Sequence, residues 1–95
     1  MPLVAGVDVS TQSTKVVVVD TDDGRVMASA SAPHDVTGSR GARESDPDRW
    51  EGGMASCLAQ TSLAADVGAI SVAAQQHGLV ALGADGRPLR PAMLW

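Results

Sequence analysis

The chain has 95 residues, of which 44% are hydrophobic, and its formal net charge is −4. Its seven basic residues are scattered along the sequence, whereas a nucleic-acid surface needs clustered positive charge, so we expect no nucleic-acid partner. The one cysteine, Cys57, cannot close an internal disulfide. The N-terminus lacks a leader pattern, and no apolar run approaches the roughly 20 residues of a membrane span. We therefore expect a soluble, cytoplasmic protein; the sequence does not predict its oligomeric state.

The hydrophobic residues are mostly Ala and Val, with two Trp and neither Phe nor Tyr. Small side chains bury little area each, and burial contributes only about 25 cal/mol per Å². The sequence also stops at Leu94-Trp95, directly after an apolar run. We therefore expect an incomplete chain whose independent stability is marginal.

The first third of the chain predicts three short strands. Residues Leu3 to Val9 alternate between apolar and other positions, Lys15 to Val19 is nearly continuous Val, and Arg25 to Ser31 is expected to return as a third strand. The connections are too short for a crossover helix, so the sequence predicts an antiparallel meander.

The first turn of this meander is the best candidate for chemistry. Its small hydroxyl and amide side chains, Ser10 to Thr14, are flanked by the carboxylate of Asp8 and the ammonium of Lys15. A tight polar turn presents backbone N–H groups and hydroxyls to phosphoryl oxygens, and a nearby carboxylate can hold a hydrated Mg²⁺. The pattern favours phosphate binding, although a polar turn after a strand is also a common structural feature.

Residues 33 to 44 are polar and aperiodic, which predicts a loop in which His34 is exposed and has no role. A helix is predicted to begin at Asp46-Pro47, with Asp46 as N-cap and Pro47 at the first helical position. Trp50 and Met54 recur at helical spacing, which favours core packing over ligand contact. Cys57 falls on the same apolar face and is expected to behave as a small core residue.

A second short apolar run, Gly68 to Ala74, predicts a buried strand, and Asp85-Gly86 predicts a hairpin leading into Arg87 to Leu94. Between them lies the polar segment Gln75-Gln76-His77-Gly78, at a strand end where open α/β sheets bind ligands. Gln and His offer donors and acceptors, and Gly permits close approach, which suits a polyhydroxylated substrate. A structural histidine at the end of the strand is the alternative.

Several other site types are disfavoured. The chain has no G-x-x-x-x-G-K-[ST], no G-x-G-x-x-G and no kinase catalytic-loop pattern. One Cys and two distant His cannot supply a zinc tetrahedron. Phosphate handling here requires another architecture.

Four segments, in order, resemble the FGGY family of carbohydrate kinases, most closely its xylulokinase branch. They are Gly6-Val-Asp-Val-Ser-Thr-Gln-Ser-Thr-Lys15, Glu44-Ser-Asp-Pro-Asp-Arg-Trp50, Gln75-Gln-His-Gly78 and Leu89-Arg-Pro-Ala-Met-Leu-Trp95. The resemblance covers nearly the whole chain. It implies an α/β fold, part of a ribonuclease-H-like domain of the actin and hexokinase ATPase type, with residues 1–95 forming the N-terminal part of domain one.

The resemblance also implies ATP and Mg²⁺ as cofactors and a sugar as substrate, with D-xylulose converted to D-xylulose 5-phosphate. Asp8 would be the activity-critical carboxylate on the Mg²⁺ and phosphoryl side, acting on the metal indirectly. The phosphates of ATP would meet the loop residues Ser10, Thr11, Gln12 and Lys15. The sugar would meet Gln76 and His77, with Gln75 and Gly78 beside them.

Gln76 departs from the family pattern, because Met often stands there, and a hydrogen-bonding wall replaces an apolar one. The resemblance places the catalytic base and the adenine-binding domain beyond Trp95, so the 95-residue chain is expected to be inactive alone. Its sheet would keep unpaired edges, which favours aggregation. Two alternatives stay open: an FGGY kinase for ribulose, gluconate, glycerol or another polyol, and a noncatalytic actin-like binding module.

Overall fold

A computed structural model describes residues 2–75 and 78–94 of the chain. Its elements are β1 (Leu3–Val9), β2 (Ser13–Asp20), β3 (Val26–Pro33), β4 (Glu44–Ser45), α1 (Pro47–Gln60), a 3-10 turn (Ala64–Asp66), β5 (Val67–Ala74) and β6 (Ala92–Met93). The described strands form a four-stranded sheet in the order β3-β2-β1-β5 and a two-stranded sheet of β4 and β6.

The predicted meander is confirmed. Strand β1 pairs antiparallel with β2, and β2 pairs antiparallel with β3. The third strand begins one residue later and ends two residues later than the sequence predicts, at Val26 and Pro33. The turn before it closes through Gly24, whose N–H donates to the Asp20 carbonyl at 2.9 Å and whose φ is 72°.

The core lies between the meander and α1. Alternate residues of β1, beginning at Leu3, are buried, as are Val16 and Val18 of β2. Cys57 is fully buried among them, which confirms its predicted role as a core residue. Trp50, Met54 and Leu58 pack against this cluster from the helix, as the helical spacing predicts.

Helix α1 begins as the sequence predicts. The Asp46 carboxylate accepts a hydrogen bond from the Asp48 N–H at 2.9 Å, and Pro47 occupies the first turn. Gly53 lies so close to β2 that a Cβ there would stand 3.3 Å from Thr14 Oγ1. A glycine that costs helix propensity therefore permits close packing of the helix on the sheet.

Strand β5 lies parallel to β1 at the edge of the four-stranded sheet. The sequence-based prediction that residues 68 to 74 are buried is wrong, because these residues are all exposed. Ile70 is 50% and Val72 56% exposed. The principal contacts of α1 are with β2 and β3, so the helix does not cover β5.

The predicted loop of residues 33 to 44 contains a short hairpin. Thr37 and Glu44 exchange two backbone hydrogen bonds of 2.8 Å, and Glu44 continues into β4, which pairs with β6. Gly38 has a φ of 124°, and a Cβ there would stand 2.4 Å from the Ala42 carbonyl oxygen. Only glycine fits at position 38. The segment is therefore a defined hairpin, closed by the Thr37–Glu44 pair, rather than an irregular loop.

His34 is buried, with 4% of its surface exposed, so the prediction that it is an exposed loop residue is wrong. The backbone N–H of His34 donates to the Gln12 carbonyl at 2.9 Å, which extends the pairing of β2 with β3. Its ring lies against Trp50, with the ring centroids 6.3 Å apart. The Trp50 indole N–H donates to Ser45 Oγ at 2.9 Å, and this hydrogen bond orients the indole ring against His34.

The predicted hairpin at Asp85-Gly86 forms a turn, in which Gly83 N–H donates to the Arg87 carbonyl at 2.8 Å. The two limbs that leave the turn pair through isolated bridges, Leu82 with Pro88 and Leu79 with Met93, and the two-residue β6 lies on the second limb, so the strands are shorter than predicted. Within the described ranges, no helix is long and apolar enough to cross a membrane.

Candidate active site

The turn between β1 and β2 is closed by a hydrogen bond of 2.9 Å from the Ser10 N–H to the Ser13 carbonyl. The Gln12 carbonyl accepts from the His34 N–H, so two carbonyls of the turn are already engaged. The N–H groups of Thr11 and Gln12 make no hydrogen bond within the described part of the chain. The turn therefore offers free donors, as a phosphate-binding turn requires.

Asp8 is exposed at the carboxyl end of β1, on the sheet face opposite α1. Ser10 Oγ donates to Asp8 Oδ1 at 3.2 Å, and Lys15 lies opposite Asp8 in the β1–β2 register. Both side chains line an open groove of about 350 Å³ that extends to Ser71 and Ala73 of β5. A carboxylate and an ammonium thus share one solvent-accessible groove.

Gln75 follows directly after β5, whose last residue, Ala74, lies beside Val9 in the parallel register. Both polar atoms of the Gln75 amide are buried and have no hydrogen-bond partner among the described residues. Gly78 is exposed, and a Cβ there would stand 3.7 Å from Leu94 Cδ2. The predicted sugar residues Gln76 and His77 lie outside the described residues.

Among residues 2–75 and 78–94, no three His, Cys, Asp or Glu side chains gather as a metal site. Asp8 alone supplies too few ligands for a cation site built entirely from protein groups. Mg²⁺ is commonly held by one or two carboxylates together with water and substrate phosphates, and an exposed Asp8 beside a turn with free N–H donors fits that arrangement.

Sequence reasoning missed two residues beside the turn, His34 and Arg43. Arg43 lies on the 37–44 hairpin and lines a second groove together with Thr11 and Gln12. The two glycines at 38 and 41, separated by two residues, are the signal that could have predicted this hairpin.

Residues 3–95 match the N-terminal domain of the FGGY family of carbohydrate kinases. The chain belongs to this family. The xylulose kinase of Streptomyces coelicolor is 56% identical over 95 residues, which are 99% of this chain and 20% of that protein. A xylulose kinase sequence from Arthrobacter sp. is 47% identical, with 100% of this chain and 94% of that sequence covered. This FGGY chain therefore spans about a fifth of the Streptomyces coelicolor relative.

Solved structures show the same fold. The crystal structure of xylulose kinase from Bifidobacterium adolescentis matches 99% of this chain and 18% of its own length, with a TM-score of 0.86 and 40% sequence identity. The prediction of a partial α/β ATPase domain of the actin and hexokinase type is thereby confirmed, and the FGGY resemblance seen in the four sequence segments is confirmed as well.

Proposed function

We propose that this chain forms one wall of the active-site cleft of an ATP-dependent sugar kinase that converts D-xylulose to D-xylulose 5-phosphate. The observation that carries the proposal is the parallel pairing of β1 with β5, with Val9 beside Ala74. This pairing brings the polar segments that follow the two strands to one sheet edge. One segment holds the turn with free amides, and the other begins with the unpartnered Gln75 amide.

The reaction needs a phosphoryl group held beside a sugar hydroxyl. The bond from the γ-phosphorus of ATP to the bridging oxygen breaks, and a bond from that phosphorus to the sugar oxygen forms, leaving ADP. Donors that hold the phosphoryl oxygens in place lower the barrier through positioning and charge stabilisation. In this chain we assign that role to the turn residues Ser10, Thr11 and Gln12, with Lys15 beside them.

Asp8 is the residue we assign to the cation that accompanies ATP. Its carboxylate is exposed, is oriented by Ser10 and lies across from Lys15. Magnesium, when bound, neutralises charge on the phosphates, and Asp8 would reach it through coordinated water. Asp8 does not serve as the base: the family resemblance places the aspartate that takes the hydroxyl proton beyond Trp95, so we expect the 95-residue chain to be inactive alone.

The sugar is assigned to the segment Gln75 to Gly78. An amide with two buried and unpartnered polar atoms loses hydrogen bonds on folding, and a polyhydroxylated ligand can restore them. We extend this role to Gln76 and His77 from the family resemblance. The choice of D-xylulose is supported by the relatives, which are xylulose kinases at 47% and 56% identity.

The test of the phosphoryl side uses Asp8→Asn in the complete protein encoded by the gene. Removing a charge from the reacting centre should lower kcat with ATP and D-xylulose about 100-fold or more. Asp22→Asn is the matched control, because Asp22 is an exposed aspartate in the turn between β2 and β3. Equal rates in Asp8→Asn and the wild type would remove Asp8 from the proposed site.

The substrate is tested by assaying the complete protein with D-xylulose, ribulose, gluconate and glycerol. A kcat/KM highest for D-xylulose supports the proposal, and preference for another acceptor would replace the sugar while keeping the phosphoryl side. His77→Ala separates the sugar side from a structural role: its KM for D-xylulose should rise while its melting temperature stays the same. Sugar binding unchanged by His77→Ala would point to a noncatalytic module.

A further inference from the structure

A second groove lies beside the phosphate turn, on the side of the 37–44 hairpin. Its volume is about 480 Å³. Thr11 and Gln12 form one wall, and the other wall is formed by Val36 to Gly38 together with Arg43. The turn whose free amides we assign to phosphate is therefore bordered by Lys15 in one groove and by Arg43 in the other.

The backbone of Arg43 is held firmly in this position. Its carbonyl accepts the Leu94 N–H at 2.8 Å, and the next residue, Glu44, exchanges two backbone hydrogen bonds with Thr37 and lies opposite Met93 in the pairing of β4 with β6. The chain reverses at Gly38, where no other residue fits. Because this segment is hydrogen-bonded on both sides, the Arg43 side chain is held beside the turn, and binding a ligand does not require the loss of conformational entropy that ordering a long flexible loop would.

The charge of Arg43 is not neutralised within the described part of the chain. Arg43 Nη1 donates to the Ala42 carbonyl at 2.9 Å, which leaves most of its five N–H donors free. The neighbouring carboxylate of Glu44 is instead paired with Arg90, at 3.0 Å. The hairpin therefore presents an unpaired guanidinium to the groove, and guanidinium groups bind phosphate oxygens through two parallel hydrogen bonds.

We propose that Arg43 is a phosphate-binding residue that, together with the Thr11 and Gln12 amides, holds the phosphoryl group being transferred. The ligand class is a phosphate monoester or terminal phosphate carrying two negative charges. This inference rests on the proposed function for the identity of the phosphate, which is either the γ-phosphate of ATP or the phosphate of the sugar product. The recognition chemistry is the same in both cases.

The experiment measures binding to the complete protein by calorimetry. The probes are inorganic phosphate, D-xylulose 5-phosphate, a nonhydrolysable ATP analogue and unphosphorylated D-xylulose. Arg43→Gln removes the charge and keeps the stem of the side chain, and Arg43→Lys keeps the charge without the planar fork. Arg40→Gln is the matched control, because Arg40 lies on the same hairpin but does not line the groove.

Arg43→Gln should weaken binding of inorganic phosphate about tenfold or more, with D-xylulose binding unchanged. Arg43→Lys should retain part of the affinity, and Arg40→Gln all of it. A matching loss for D-xylulose 5-phosphate assigns the site to the product, and a matching loss for the ATP analogue assigns it to the nucleotide. Circular dichroism of each variant checks that the fold is intact, and Arg43→Lys carries the test if Arg43→Gln does not fold.

Unchanged phosphate affinity in the folded variant, or an equal loss in Arg40→Gln, would overturn the proposal. The outcome is separable from the proposed function. A protein that phosphorylates no sugar but binds inorganic phosphate through Arg43 refutes the kinase assignment and keeps the phosphate site. If the protein phosphorylates D-xylulose and Arg43→Gln binds inorganic phosphate as the wild type does, the kinase assignment is kept and the Arg43 phosphate site is refuted.

Discussion

Strands β2 and β5 make an instructive pair, because both carry several Val or Ile residues and only one of them is buried. Val16 and Val18 of β2 have no exposed surface, whereas Val72 of β5 is 56% exposed. Helix α1 lies against β2 and β3 and leaves β5 without cover. Apolar content therefore does not decide burial in this sheet; the position of the helix does.

The candidate site lies at the boundary between these two regions. Asp8 and the turn lie on β1 and β2, whose opposite face is buried in the core, whereas Gln75 follows the uncovered β5. The proposed phosphate side of the site is thus built on two packed strands. The proposed sugar side follows a strand that contributes little to the core, so the two sides should differ in how much they depend on core packing.

The largest expected effect comes from truncating the same residue type on the two strands. Val16→Ala removes two methyl groups from a filled core and should lower the free energy of unfolding of the 95-residue chain by about 2 kcal/mol. Val72→Ala removes them from an exposed edge and should change it by less than about 0.5 kcal/mol. Urea denaturation followed by circular dichroism measures both.

Similar costs at the two positions would contradict the comparison, because β5 would then be packed as well as β2. A low-concentration series for each variant is the control, since an exposed edge strand can associate with other chains and raise the apparent midpoint.

Two adjacent glycines of α1 provide a finer test of how closely the helix packs. Gly52→Ala meets no atom within 4 Å and should raise the free energy of unfolding by about 1 kcal/mol through helix propensity. Gly53→Ala places a methyl group 3.3 Å from Thr14 Oγ1 and should lower it by about 1 kcal/mol.

The two variants share one substitution and one helix, so each is the control of the other in thermal and urea denaturation. Stabilisation by Gly53→Ala equal to that by Gly52→Ala would show that the helix and β2 have room for a methyl group, and that propensity alone decides both positions.

The sequence correctly predicts the meander and the start of α1, because the patterns that indicate these elements are local. Alternation of Leu3 to Val9 defines β1, and the cap formed by Asp46 and Pro47 defines the start of α1. The residue pattern of the turn also places Asp8 and Lys15 at its two ends, and the structure pairs these two residues across β1 and β2.

The errors concern residues whose environment is set by distant parts of the chain. Burial of β5 depends on which strands α1 covers, and nothing in residues 68 to 74 encodes that. His34 follows a strand and precedes polar residues, yet Gln12 and Trp50 enclose it. The groove beside Arg43 is likewise formed by two segments that are distant in the sequence, the first turn and the 37–44 hairpin, so no local pattern predicts it.

The smallest expected effect concerns Cys57 and the pH dependence of stability. Burial raises the pKa of the Cys57 thiol above its ordinary value. The unfolded chain therefore releases this proton at a lower pH than the folded chain does. Stability is fully present below the unfolded pKa and falls as pH rises from there towards the folded pKa, because the folded state binds more protons in that window. Cys57→Ala should remove this alkaline slope from urea midpoints measured between pH 7 and about 10, and an unchanged slope would assign it to other groups.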